Sequence, residues 1–73
     1  MDRELALKNL AQAEAAVAEG LRHIAEQRSR IERLRGDGHD VAEAERLLQL
    51  FLEVQRQHQA HRDRLLTELA TMS

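Results

Sequence analysis

The stretch that decides the fold is Gly36-Asp37-Gly38-His39-Asp40, which holds two of the three glycines of this 73-residue chain. The chain has no proline, so no other segment carries a comparable helix-breaking signal. Gly36 follows Arg33 and Arg35, an order typical of a helix C-terminus, where glycine takes the left-handed conformation and basic side chains lie beside free carbonyls. Asp40 is a good N-cap for a second helix. We therefore predict a turn at residues 36–40.

Apolar residues on both sides of this turn recur with a helical period. Before the turn the series runs every seven positions through Leu10, Val17, Ile24 and Ile31, flanked at three or four residues by Leu7, Ala13, Leu21 and Leu34. After the turn an alternation of three and four residues runs through Val41, Ala44, Leu48 and Phe51, and then through Leu65, Leu69 and Met72. Both patterns indicate amphipathic helices, which we place at about residues 3–35 and 40–71.

A connection this short can only fold the second helix back along the first. The sequence therefore predicts an all-α fold, an antiparallel two-helix hairpin roughly 45 to 50 Å long that forms one domain over residues 1–73. Facing residues in such a hairpin have numbers that sum to about 75 or 76. This register places Phe51 by Ile24 and Leu65 by Leu10.

The helical stripes predict which residues form the core or an interface. These are Leu10, Val17, Leu21, Ile24, Ile31, Leu34, Val41, Leu48, Phe51, Leu65 and Leu69. In the middle of the hairpin the same register brings polar side chains onto the seam. We predict a polar core layer of Glu14, Gln55, His58 and Arg62, because polar groups inside a bundle of helices often specify its register and partner number.

Gly20 falls opposite Gln55 in this register. A glycine inside a helix costs about 1 kcal/mol relative to alanine, so its presence needs a reason. Two interpretations stay open. Either Gly20 permits close approach or leaves room for Gln55 and His58, or it is a tolerated defect.

Two helices cannot cover stripes as wide as these. An isolated hairpin would expose Leu5, Leu21, Leu47, Leu50, Leu52, Val54 and Leu66. A chain this short, without cysteine for a disulfide, has few other ways to bury that surface. We therefore predict a homodimer that forms a four-helix bundle, with another helical protein as a possible partner.

Composition limits the classes of function. One third of the residues are charged and the formal net charge is only −2, so the mixed signs make nucleic acid an unlikely partner. The N-terminal residues are charged and no apolar run is long enough to span a membrane, so we expect neither a signal peptide nor membrane insertion. The lack of cysteine fits a cytoplasmic protein. We predict no enzymatic activity and no cofactor.

Two other interpretations remain beside a non-enzymatic oligomerisation or protein-interaction module. The runner-up is a small dimeric RNA-binding regulator that uses an arginine-rich turn region. That region contains Arg28, Arg30, Arg33, Arg35 and Arg46, interrupted by acidic residues. A weaker alternative is a metal-binding bundle through His58 and His61, which lie three residues apart on one helical face.

One group of proteins shares local sequence with this chain over about residues 20–66. The shared features are His23-Ile24-Ala25-Glu26-Gln27, Ile31, Leu34, Gly38-His39-Asp40, Ala44, Leu47-Leu48 and His61-Arg62. In these features the chain resembles short uncharacterised helical-hairpin proteins of rhizobia and related proteobacteria. The resemblance implies a small cytoplasmic helical protein. That group has no assigned activity, so it implies no functional residue.

Overall fold

The computed structural model of the chain describes residues 2–72. It contains helix α1, Arg3–Gly36, and helix α2, Ala42–Thr71, packed against each other as a hairpin, so the predicted all-α fold is confirmed. The hairpin measures 57 × 14 × 13 Å, longer than predicted because the turn extends beyond the end of α1. The predicted domain includes Met1 and Ser73, which lie outside the described residues.

The chain reverses within the predicted turn at residues 36–40, but the prediction that Gly36 is the left-handed glycine was wrong. Gly36 is the last residue of α1, and Gly38 is the glycine in the left-handed region, with a φ of 79°. The His39 amide donates to the Leu34 carbonyl at 2.9 Å, and the Gly38 amide donates to the Arg35 carbonyl at 3.1 Å. These two bonds form a Schellman motif, which satisfies the last carbonyls of α1.

Helix α2 also begins later than predicted, at Ala42. The Asp40 carboxylate accepts a hydrogen bond from the Ala42 amide at 3.0 Å, so Asp40 does satisfy a free donor at this end. It does so from one position further out, because the residue that precedes the helix is Val41. Asp2 does the same for α1 by accepting from the Glu4 amide at 3.0 Å.

The register in the middle of the hairpin is close to the predicted one. Gln55 lies against Gly20, and the Phe51 ring lies 6.2 Å from the His23 ring, so these facing numbers sum to 75 and 74. Nearer the turn, Arg35 of α1 pairs with Glu45 of α2 at 3.3 Å. Over residues 2–72 neither helix combines the length and apolar character that a membrane crossing needs.

The core is a single narrow seam between the two helices. Its buried apolar residues are Ala6, Ala13, Val17, Ile24, Ile31 and Leu65. The other predicted core residues are only half-buried, namely Leu10, Leu34, Val41, Leu48, Phe51 and Leu69. Leu21, predicted to lie in the core or an interface and to be exposed on an isolated hairpin, is 55% exposed, because it lies beside the seam and one partner helix does not reach it.

Candidate protein-interaction surface

Two glutamines cross the seam and bond to the backbone of the opposite helix. Gln55 Nε2 donates to the Val17 carbonyl at 2.8 Å, and Gln27 Nε2 donates to the Ala44 carbonyl at 2.9 Å. Both side chains are buried, with exposed fractions of 4% and 7%. Each glutamine therefore ties one helix to the other at a fixed height along the hairpin.

The predicted polar core layer is only partly correct. Gln55 is buried as predicted, and His58 is half-buried beside the seam. Glu14 is exposed, because it lies to the side of the seam residues Ala13 and Val17. Arg62 is half-buried, but its guanidinium bonds to the adjacent Asp63 carboxylate at 3.0 Å and not to Glu14.

Gln27 and Ala6 are seam residues that the sequence reasoning missed. The signal that could have found them is a second series with seven-residue spacing, parallel to the first. It runs through Ala6, Ala13, Gly20, Gln27 and Leu34. Only Leu34 in this series is large and apolar, so the series is weak by hydropathy although it lines the seam.

Gly20 makes the Gln55 crossing possible. A Cβ atom added at Gly20 would overlap Gln55 Oε1 and lie 2.7 Å from Gln55 Cδ. Of the two interpretations of this glycine, the structure therefore supports room for Gln55. The arrangement has a cost, because Gln55 Oε1 is buried without a hydrogen-bond partner among the described residues.

Beside this crossing lies an open recess of about 420 Å³. Its lining residues are Ala16, Glu19, Gly20, His23, Phe51, Val54, Gln55 and His58. We call this recess the groove. The Phe51 and His23 rings meet at an angle of 41°, and His23 Nε2 lies 3.7 Å from Glu19 Oε1. The groove is therefore lined by apolar and aromatic side chains together with charged and polar groups from both helices.

Large apolar side chains continue along the same side of the hairpin toward the turn. Leu47, Leu50 and Val54 are spaced by three and four residues and so share one face of α2. All three are more than 40% exposed, with Leu50 the highest at 56%. Leu47 and Leu50 line a second recess that they share with Arg30 and Arg46. We call the groove together with Leu47, Leu50 and Val54 the groove edge.

A second apolar surface lies on the other side of the seam. His23 and Leu21 precede the buried Ile24 by one and by three residues, so they emerge on opposite sides of it. Leu7 lies on the same side of α1 as Leu21, because it is 14 residues earlier. In the facing register Leu52 and Leu66 of α2 lie on that side too, so the set is Leu7, Leu21, Leu52 and Leu66. We call them the leucine edge. Leu7, Leu21 and Leu66 are at least 45% exposed, and Leu52 is half-buried.

The arginine-rich turn region is a mixed surface. Its five arginines are all exposed: Arg28, Arg30, Arg33, Arg35 and Arg46. Arg35 is held by Glu45, and Asp40 and Glu43 share the second recess with Arg30 and Arg46. Phe51 is half-buried in the groove, with its ring against His23.

The two histidines considered for metal binding are in different settings. His58 is half-buried and lines the groove, whereas His61 is exposed. Within residues 2–72 there is no group of three or more histidine, cysteine, aspartate or glutamate side chains placed to hold a metal ion.

These features define a class, an all-α helical hairpin with two apolar edges. Comparisons with models of protein families, with curated proteins and with solved structures gave no match to this chain. The resemblance to short rhizobial proteins therefore stays a prediction.

Proposed function

We propose that this chain is a non-enzymatic protein-interaction module that acts by associating with a second copy of itself. The observation that carries the proposal is the exposure of large apolar side chains on both helices of the hairpin. Seven of them are 41% to 56% exposed: Leu5, Leu7, Leu21, Leu47, Leu50, Val54 and Leu66. Contiguous apolar surface on a small protein usually marks a place where another molecule binds.

The accessible surface supports this proposal quantitatively. The chain exposes 5518 Å² for a mass of 8.4 kDa. A compact folded monomer of this mass is expected to expose about 4,600 Å². The excess of roughly 900 Å² is similar to the area that each partner buries in a protein interface of ordinary size, about 800 Å². One further hairpin is thus a partner of the right size.

Self-association needs only one kind of chain. A two-fold contact uses the same surface on both protomers, and two hairpins side by side give a four-helix bundle. The lack of cysteine in the chain supports placing this module in the cytoplasm.

The experiment is absolute mass by light scattering across a concentration series, with helicity followed by circular dichroism on the same samples. We expect a mass of twice the 8.4 kDa chain, and helicity that falls as the dimer dissociates on dilution. A fully helical monomer at all concentrations would contradict the proposal.

RNA binding is the second candidate, favoured by the five exposed arginines near the turn. Salt separates it from the first. Binding to phosphates weakens steeply as salt rises, whereas burial of apolar surface changes little. The runner-up would replace the proposal if the chain stayed monomeric and bound a structured RNA with strong salt dependence.

The weaker metal alternative predicts a higher melting temperature with Zn²⁺ that is lost in a variant without His58 and His61.

A further inference from the structure

The two apolar edges differ in shape, and the difference indicates which one meets a second copy. The groove edge carries a prominent side chain, Leu50, next to a recess of about 420 Å³ lined by Gly20, Phe51 and Val54. The leucine edge has exposed leucines, but Leu7, Leu21 and Leu66 line none of the five best-formed recesses among the described residues. A projection and a recess side by side on one face are complementary to a second copy of themselves about a two-fold axis, because each protomer supplies both.

We infer that two copies join through their groove edges in antiparallel orientation, with Leu50 of each protomer inserted into the groove of the other. This inference rests on the proposed self-association and specifies its geometry. The groove is centred near Gly20 and Gln55, about one helical turn from Leu50 along α2. The two-fold axis therefore crosses α2 close to residue 52, between the projection and the recess.

Charge selects the antiparallel orientation over the parallel one. Arg46 lies on the turn side of that axis, and Glu19 lies on the other side, level with Gln55. An antiparallel two-fold brings Arg46 of one protomer to within about one helical turn of Glu19 of the other. A parallel pair would instead place Arg46 beside Arg46 and Glu19 beside Glu19, which costs repulsion at a partly desolvated contact.

The space beside Gly20 also contributes to the proposed contact between the two copies. Because Gly20 has no side chain, Gln55 can fold into the seam and leave the groove open. A Gln55 side chain displaced from the seam would occupy the place that Leu50 of the second copy fills. The same glycine that permits the crossing thus keeps the recess empty.

The first test compares Leu50→Lys with Leu21→Lys. The two leucines are a matched pair, because they are 56% and 55% exposed and lie on different edges. For Leu50→Lys we expect half-dissociation at a concentration about 10-fold or more above that of the wild type, since a central anchor is lost. For Leu21→Lys we expect a change of less than about 3-fold. Helicity at high concentration checks that both variants still form the hairpin.

The second test measures orientation without disturbing either edge. The chain has no cysteine, so Asp37→Cys gives a single site for a spin label at the turn. In the antiparallel dimer the two labels should be roughly 40 Å apart, from the rise of 1.5 Å per residue on each side of the axis. A parallel dimer would bring them to within about 20 Å.

Three outcomes overturn the inference. They are a dimer that dissociates with Leu21→Lys and not with Leu50→Lys, a dimer that responds equally to both variants, and a short distance between the labels. In each of these cases the wild type is still a dimer, so the proposed function stands and only the geometry fails. A wild type that remains a folded monomer removes both.

Discussion

The seam near the turn and the seam at mid-length are each crossed by one glutamine, but they are supported differently. Near the turn, Gln27 bonds to Ala44, Arg35 pairs with Glu45, and the Schellman motif at Gly38 fixes the reversal of the chain. At mid-length the Gln55 bond to Val17 depends on one small residue, Gly20. Several independent contacts therefore fix the two helices at the turn end. At mid-length the glutamine crossing depends on the contact between Gly20 and Gln55, which one added methyl group at Gly20 would disturb.

The two crossings also differ in how well their polar atoms are satisfied. Gln55 uses its amide nitrogen and leaves Oε1 buried without a hydrogen-bond partner among the described residues, whereas no buried unpartnered atom is found at Gln27. A buried acceptor without a donor costs about 1 to 3 kcal/mol. Gln55 therefore fixes the position of α2 along α1 more than it stabilises the hairpin. A polar seam residue can thus fix the register of the helices and shape a groove without adding stability.

The largest expected effect comes from replacing each glutamine by leucine. Both variants lose one hydrogen bond, but only Gln55→Leu also removes a buried unpartnered carbonyl. The free energy of unfolding of Gln55→Leu should therefore exceed that of Gln27→Leu by about 1 to 3 kcal/mol. Urea unfolding of both variants at one fixed protein concentration measures the difference, because association would otherwise shift the result.

Equal stability of the two leucine variants would mean that burial of Gln55 Oε1 without a hydrogen-bond partner does not lower the free energy of unfolding. A mass measurement on the same samples is the control, since leucine at position 55 could alter the groove and the oligomer. The comparison is valid only between species of equal mass.

The second effect is a coupling between Gly20 and Gln55. Gly20→Ala gains about 1 kcal/mol of helix propensity but places a Cβ against the Gln55 amide. In a Gln55→Ala background the clash is gone, and the full gain should appear. We expect the double-mutant cycle, measured by thermal or urea unfolding, to give a coupling free energy of about 1 to 2 kcal/mol.

Gly36→Ala is the matched control for this cycle. Gly36 is also helical, but a Cβ there meets nothing within 4 Å. Its effect on stability should be the same in the wild-type background and in the Gln55→Ala background. If Gly20→Ala also changed stability by the same amount in both backgrounds, the close contact between Gly20 and Gln55 would make no contribution to the free energy of unfolding.

The sequence was enough for the fold because each of its elements has a local signal. Leu10, Val17, Ile24 and Ile31 repeat with a helical period, and two glycines in five residues mark the reversal. The register followed from the short turn, and it placed Gln55 opposite Gly20 correctly. The prediction that Gly36 takes the left-handed conformation was wrong, and Gly38 takes it. Both glycines occupy plausible positions in the sequence, and the choice depends on the final hydrogen bonds of the turn.

The candidate surface was less predictable than the fold. The sequence predicted exposed leucines beside the seam, and Leu21, Leu47 and Leu50 are indeed exposed in the hairpin. The burial of Gln27 and the exposure of Glu14 were missed, because a shift of one residue around a helix decides which polar side chain enters the seam. The groove itself was not predicted, since it arises from the absence of a side chain at Gly20 combined with the inward fold of Gln55.

The smallest expected effect tests the turn end. Gly38 has a φ of 79°, so Gly38→Ala forces a side chain into the left-handed region at a cost of about 1 kcal/mol. Gly36→Ala, two residues earlier and in the helix, should be neutral or slightly stabilising. Thermal unfolding compares the two variants. Because Gly38 is remote from the groove, the mass of the Gly38→Ala protein should match the wild type at concentrations where both are folded. A lower mass would show that the turn end also takes part in association, and the distinction between the two ends of the seam would then fail.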